Sequence, residues 1–540
     1  MAKSIQSLSL LLITAAIAHG ATKVAPDVEK LPASQAAEVI VQYKSKPLAA
    51  TFSKAQGWGV SIMQQLPLIK AAVMSVPPGI LKKLETDPDV LYISPNRKLT
   101  PMLQFSRETS NASIAQNYGW TGSGVGVAVI DSGYTSHYDL SSNVVYKETL
   151  VGGTADDDYG HGTHVAGIIA GTGSVSSSYR GIAPGAKLII LKALDGNGGG
   201  TDAAAIAAID RAIQLKSQYN IRVINLSLGR GVYESYKLDP LCQAVERAWQ
   251  AGIVVVVAAG NEGRNNSQGT AGYGTVLSPA NDPFVITVGA MKAKDTISRG
   301  DDEIASYSSK GPSGVDMVVK PDLVAPGNQV VAPMRTGTVL WNNYPSNRVV
   351  LTNYLSQYFR MSGTSMATPV VAGAVALMLQ KEPALTPDQV KARLMLTATK
   401  NFPSTSISTD PMSGITYTSY YDTFTVGTGY LDIWAAMNNT VAVSGTARSP
   451  SASFNTKDNT VSLVFPAGVT WGTGVTWGTG VVWGTSNVSS TGVVWGTGVV
   501  WGTGVTWGTG VVWGTGVVWG TGVTWGTGVT WGTSEVLGEK

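Results

Sequence analysis

Between residues 107 and 440 the chain alternates short, largely apolar runs with longer stretches of helical period. Val125–Ile130, Lys187–Lys192, Arg222–Leu226 and Ile253–Ala258 read as buried strands, and Asp202–Leu215 and Leu241–Gln250 as helices. Strands alternating with helices of about 10–15 residues predict an α/β fold, a parallel sheet flanked by helices. Any active site on such a sheet belongs beyond the carboxyl ends of the strands. Residues 37–102 follow a different rhythm. Ala37–Tyr43 alternates like an edge strand, Val73–Val76 and Val90–Ile93 are further strands, and Pro78–Glu85 is a short helix. That order predicts a separate, small α+β domain.

The two ends depart from both patterns. Leu8–Ala18 is an apolar run broken only by Ser9 and Thr14, preceded by Lys3 and closing on Ala16-Ile17-Ala18. This predicts a signal peptide over 1–18 and an exported protein, secreted or held at the cell surface. At the far end ten of the 15 tryptophans fall at six-residue intervals from Trp471 to Trp531, with one gap of twelve that keeps phase. Twenty glycines lie between Gly468 and Gly532. Six is even, so in an extended chain every Trp points to the same face. Residues 468–534 are therefore expected to form a hexapeptide-repeat β tail, and 441–467, rich in Ser, Thr and Ala, a linker to it. A ladder of tryptophans would suit stacking on the sugar rings of a cell wall or polysaccharide.

Composition narrows the function. The 540 residues exclude a single small module, and 44% apolar residues suffice for a large core. A net charge of +3 gives no footprint for nucleic acid. The single cysteine, Cys242, forbids an intramolecular disulfide and reads as a buried thiol on a helix. An exported chain without disulfides must be held by its core, by bound ions, or by both.

Candidate chemistry sits where the strands end. Asp131 closes an apolar strand inside Ile130-Asp131-Ser132-Gly133, where a buried carboxylate needs a partner. His161 lies in Gly160-His161-Gly162-Thr163-His164-Val165-Ala166-Gly167, ahead of small residues suited to a closely packed helix. Ser365, in Gly363-Thr364-Ser365-Met366-Ala367-Thr368-Pro369, precedes the apolar run Val370–Leu379. It is thus expected at a helix N-terminus, with Pro369 near the first turn. A serine with a base in reach, and a carboxylate to hold the base, suits nucleophilic acyl transfer. The helix start adds donors where an oxyanion forms. Asn261, just after the strand Ile253–Ala258, is placed to add another. His137, His164 and Ser362 lie close to these residues and are read as structural.

Taken in order, these four motifs resemble the subtilisin-type serine peptidases, the subtilase family. The similarity runs over about residues 107–440 and includes Lys320–Gly327 and Gly427–Asp432. It implies Asp131 as orienter, His161 as general base and acid, Ser365 as nucleophile and Asn261 as oxyanion donor. Ser227, Leu228 and Gly229 are implied to bind an extended polypeptide as an added strand, and Ala258, Ala259 and Gly260 to form part of the pocket for the residue before the scissile bond. Residues 37–102 resemble the family's inhibitory propeptide, of βαββαβ type, with cleavage expected between Lys98 and Arg107 in a loop. The chemistry needs no cofactor, but the family often carries structural calcium. Asp139 matches one ligand position, and Asp156-Asp157-Asp158 is an alternative oxygen cluster.

The expected protein is a monomeric, self-processing serine endopeptidase acting on unfolded or extended chains. The rival readings are a surface or matrix binding protein whose tail is the functional part, and a dedicated maturation protease.

Overall fold

A computed structural model describes residues 23–24, 36–66, 70–95, 102–267, 269–294, 296–351, 357–403, 405–440, 445–455, 460–464, 475–477, 481–483, 493–495 and 499–501. The expected signal peptide, 1–18, lies outside the described residues, as does most of the repeat. The chain divides into two compact units, 1–100 and 101–540.

The first unit runs β1 (Ala37–Tyr43), α1 (Ala49–Gln56), β2 (Ser61–Leu66), β3 (Ala71–Val76), α2 (Leu81–Thr86) and β4 (Val90–Pro95). Its antiparallel sheet has the order β2-β3-β1-β4. Val39, Val41 and Tyr43 alternate into a core with Phe52, Met74 and Ile93. The order is the expected βαββαβ. Sequence reading located no residues for α1 and β2, and their packing explains why. Only Phe52 and Ala55 of α1 are buried, and β2 has no buried position at all, so neither carries a periodic apolar signal.

The second unit begins with α3 (Met102–Thr109) and α4 (Ala112–Asn117). The interval from Lys98 to Arg107, expected as a loop, is therefore helical from Met102 onward; residues 96–101 lie outside the described residues. There follow β5 (Gly126–Asp131), β6 (Val144–Thr149), α5 (His161–Ala170), β7 (Lys187–Lys192), α6 (Asp202–Tyr219), β8 (Ile221–Leu226), α7 (Pro240–Gln250), β9 (Val254–Ala258), β10 (Ile286–Lys292), β11 (Glu303–Ile304), β12 (Leu323–Pro326) and β13 (Val330–Met334). After α8 (Val339–Asn343), β14 (Arg348–Val350) and β15 (Gln357–Met361) comes the long α9 (Thr364–Lys381), then α10 (Pro387–Thr397).

The main sheet has the order β11-β10-β9-β8-β5-β7-β6, with β12 also pairing β10. Every pairing is parallel except β10 with β11. Burial on both faces explains the continuous apolar runs. In β9 all of Val254–Val257 are buried, each valine contributing roughly 1.5–3 kcal/mol. From β5 the chain first fills one side of the sheet, with β7 and β6, then the other, with β8, β9 and β10. The carboxyl ends of β5 and β8 therefore flank the point where strand order reverses, the place where such sheets bind ligands. Helix α9 is buried from Thr364 to Leu379 and packs on β8, β9, β10 and α5.

Part of the expected linker packs on this unit. Ser451–Asn455 pairs with Thr460–Val464. Ala452 N–H donates to Met317 O at 2.7 Å, and the buried Ser449 donates through Oγ to Asp322 Oδ1 at 2.6 Å. Within the repeat, 475–477 pairs antiparallel with 481–483, and 493–495 with 499–501. Among the described residues no helix is long and apolar enough to cross a membrane.

Candidate active site

The carboxyl end of β5 and the start of α5 form one welded piece. Asp131, wholly buried, accepts at Oδ1 from its neighbour's N–H (Ser132, 2.7 Å) and from His161 Nδ1 (2.7 Å). Gly160, ahead of α5, has φ +107° and no side chain to cap the helix. Asp157 serves instead. Its Oδ1 accepts from Gly160 N–H (2.7 Å) and Ser132 Oγ (2.8 Å), its Oδ2 from the N–H and hydroxyl of Thr163, both at 2.7 Å. Ser132 Oγ in turn accepts from Gly162 N–H at 2.9 Å. A Cβ on Gly162 would lie 2.4 Å from Gly133 O, so only glycine lets the helix approach the Asp131 loop this closely.

This enclosure sets the charge state of the imidazole. Burial alone would lower the pKa of His161, but the Asp131 carboxylate, its hydrogen bond and the charge of Asp157 outweigh that and raise it above 6.5. Its Nε2 is buried and meets no hydrogen-bond partner among the described residues. His164 is different: burial pushes it down to about 3, and its Nε2 donates to Phe359 O at 2.9 Å. His137 donates from Nε2 to Gln357 O and accepts at Nδ1 from Asp139 N–H. Both fill the structural parts expected of them.

Ser365 occupies the first turn of α9. Pro369 lies in the second turn, not the first, and this has a consequence. Proline lacks the N–H that would pair with Ser365 O. Ser227 Oγ supplies the missing donor at 2.9 Å, itself held by Asn225 Nδ2 at 3.0 Å. The exchange is mutual, for Ser365 Oγ donates to Ser227 O at 3.3 Å. Ser365 Oγ is thus engaged with the strand end after β8 rather than with His161. Asn261, following β9, accepts at Oδ1 from Thr364 N–H (2.9 Å) and Thr364 Oγ1 (3.1 Å). Its amide is thereby anchored to the same helix start.

Leu228, Gly229, Ala258, Gly260 and Asn261 line a small pocket that opens beside Ser365 and Thr364. Leu277 also lines it, and sequence reading did not find Leu277: it lies outside every motif, between β9 and β10. Asp157, expected in an oxygen cluster, instead serves the helix start; the glycine at the cap position, with a carboxylate three residues before it, is the local signal for that role.

The candidate calcium ligands are not assembled. Asp139 is saturated by protein donors: Oδ2 accepts from Tyr358 OH at 2.6 Å and Oδ1 from Val175 N–H at 3.0 Å. The acidic triplet diverges. Asp156 pairs with Lys147 and Asp158 with Lys192, while Asp157 turns inward as described. Among the described residues no group of three or more His, Cys, Asp or Glu could hold a metal ion. Neither Asp139 nor the Asp156-Asp157-Asp158 triplet presents a converging set of oxygens that fits calcium.

Comparison with known proteins places this architecture. Residues 122–411 match the model of the subtilase family, and residues 36–96 that of the fervidolysin N-terminal prodomain. Serine protease AprX of Bacillus subtilis (strain 168) is 38% identical over 370 residues, 66% of this chain and 78% of that protein. Subtilisin E of the same organism is 36% identical over 349 residues, covering 63% and 78%. An alkaline protease of Shouchella clausii is 32% identical over 367 residues, covering 67% and 83%.

Proposed function

The chain belongs to the subtilase family of serine endopeptidases, and from that premise we propose that it cuts extended polypeptides through Asp131, His161 and Ser365. The observation that carries this reading is the 2.7 Å bond from His161 Nδ1 to Asp131, which fixes the ring and leaves Nε2 without a hydrogen-bond partner among the described residues. In the reaction Ser365 Oγ attacks the scissile carbonyl carbon and passes its proton to Nε2. Asp131 holds the tautomer and stabilises the imidazolium that forms. The oxyanion accepts from the Asn261 amide and from the Ser365 N–H at the helix start. His161 then protonates the leaving amine, and water repeats the sequence on the acyl-enzyme.

The serine must first leave Ser227 O for His161. A polypeptide lying along Ser227, Leu228 and Gly229 as an added strand offers its own N–H to Ser227 O and releases Oγ. Ala258 and Gly260 form the facing wall, with Ala259 buried behind them. Catalytic hydrogen bonds of this kind often close only when substrate binds.

The prodomain match supports synthesis as a zymogen. The first unit would inhibit the second until cleavage between residues 98 and 107. A protease takes extended chain, which favours a bond ahead of α3. The apolar N-terminal run supports export. The tail, with its six-residue Trp spacing, supports retention on cell-wall or polysaccharide material.

The test is Ser365→Ala. It should cut peptide hydrolysis by roughly 10⁶-fold, abolish fluorophosphonate labelling, and leave residues 37–102 attached. Labelling that persists in the variant overturns the assignment.

A further inference from the structure

Leu277 sits between the two walls of the pocket beside Ser365. An ideal Cβ built on Gly260 would lie 2.7 Å from Leu277 Cγ, and one on Gly229 3.1 Å from Leu277 Cβ. The leucine's inner atoms, not only its methyl tips, therefore stand where the two glycines leave room. Rotamer changes move the methyls but not the Cβ.

The backbone under it is clamped from both sides. Leu277 N–H donates to Ala259 O at 3.0 Å on one wall. The next residue, Ser278, makes a two-way bridge with Arg230, which follows Gly229 on the other wall: Ser278 N–H to Arg230 O at 2.7 Å and Arg230 N–H to Ser278 O at 2.9 Å. Arg230 is tied down by bonds to Asp202 and Asp239. Leu277 is thus held in place between the two walls. None of the lining side chains is charged.

We propose that Leu277 sets the depth of this pocket and restricts the residue before the scissile bond to small and medium apolar side chains, alanine and leucine ahead of phenylalanine and lysine. The proposal rests on the peptidase reading above. An aromatic ring must displace the leucine stem, and a lysine ammonium entering the pocket would lose its water without meeting a counter-charge.

The experiment compares tetrapeptide p-nitroanilides that differ only in the residue before the cut, Ala, Leu, Phe or Lys, with fluorophosphonate labelling measured on the same mature enzyme. The Ala and Leu substrates should exceed the Phe substrate in kcat/KM by about tenfold or more, the scale at which a pocket discriminates by size. Leu277→Ala should raise the Phe-to-Ala ratio by a similar factor, and Leu277→Val by less. Labelled enzyme that prefers Phe, or a ratio unmoved in both variants, overturns the role of Leu277 alone. Absence of labelling and of hydrolysis together overturns the peptidase reading and this inference with it.

Discussion

The two halves of the candidate triad are built differently. On the Asp131–His161 side the donors of Ser132, Gly160, Gly162 and Thr163 around the cap of α5 are all committed. Asp157 alone receives four donors, and the imidazole is fixed before substrate arrives. On the Ser365 side the hydroxyl is engaged in an exchange with Ser227 that a bound polypeptide would replace. The base is preorganised, whereas the nucleophile waits on a partner with its own N–H. Such a division costs no reorganisation of the charged pair at the moment of proton transfer. It also keeps the serine off the base while no substrate is bound.

Breaking the rigid half at its carboxylate should have the largest effect. Asp131→Asn should lower kcat by roughly 10⁴-fold, because the amide favours the wrong imidazole tautomer. It should also move the pH profile. His161 must be neutral to act, and its pKa is raised, chiefly by Asp131 working against burial. In the parent, kcat/KM should fall as pH drops through a value above 6.5; in the variant that limb should move to lower pH. The sign for stability is the reverse. The imidazolium–carboxylate pair contributes fully below about 6.5, the unfolded value, and its contribution is lost as pH rises through the raised folded value. An unshifted acid limb in Asp131→Asn would detach Asp131 from the base.

On the other half, Asn261→Ala should cost about 10²–10³-fold in kcat with a small change in KM, since its amide is asked to act on the transition state. Loss mainly through KM would make Asn261 a substrate-binding residue instead.

The contrast between the halves also separates what the sequence made legible. Asp131, His161 and Ser365 stand at ends of elements with strong apolar periodicity, so strand, turn and helix start could be assigned from pattern, and the motifs did the rest. Residues that act through tertiary partners left no such trace. Asp157 reads as one carboxylate of three because its spacing ahead of Gly160 is a faint mark beside Asp156 and Asp158; folding sends it inward and pairs its neighbours with Lys147 and Lys192. Leu277 reaches the pocket across a loop. Ser449 lies in a stretch of linker-like composition, yet its hydroxyl meets the buried Asp322 and Lys391. Composition reports average polarity and cannot show one serine pairing with buried charge.

Two substitutions sharpen the comparison at smaller scale. Asp157→Ala strands Ser132, Gly160 and Thr163 donors in a buried site and should lower stability by about 3–5 kcal/mol. The loosened His161 should cost up to about 10²-fold in kcat. Ser227→Ala removes the donor to Ser365 O and the acceptor of the buried Asn225 Nδ2. It should lower kcat by about tenfold or less, since the base stays in place and the turn carrying the nucleophile loses one bond. Equal losses from the two variants would mean that the halves are not built differently after all.

The smallest effect on activity is expected farthest from the triad, at Asp139. Its carboxylate accepts from Tyr358 OH at one oxygen and from Val175 N–H at the other. Burial and then the adjoining carboxylate push the Tyr358 phenol up, so it stays a donor across the working range of pH. Tyr358→Phe should lower stability by about 1.5–3 kcal/mol, the size of a hydrogen bond to a charged group, with the pH profile of hydrolysis unchanged. With the tyrosine bond holding this corner, a chelator should shift the melting temperature of the parent and of Asp139→Asn by the same amount. The two measurements together decide what holds this corner. If the chelator lowers the melting temperature and Asp139→Asn abolishes that sensitivity, Asp139 is a calcium ligand and the tyrosine bond is secondary. If the two shifts are equal while Tyr358→Phe destabilises, the phenol fills the place of an ion at this corner.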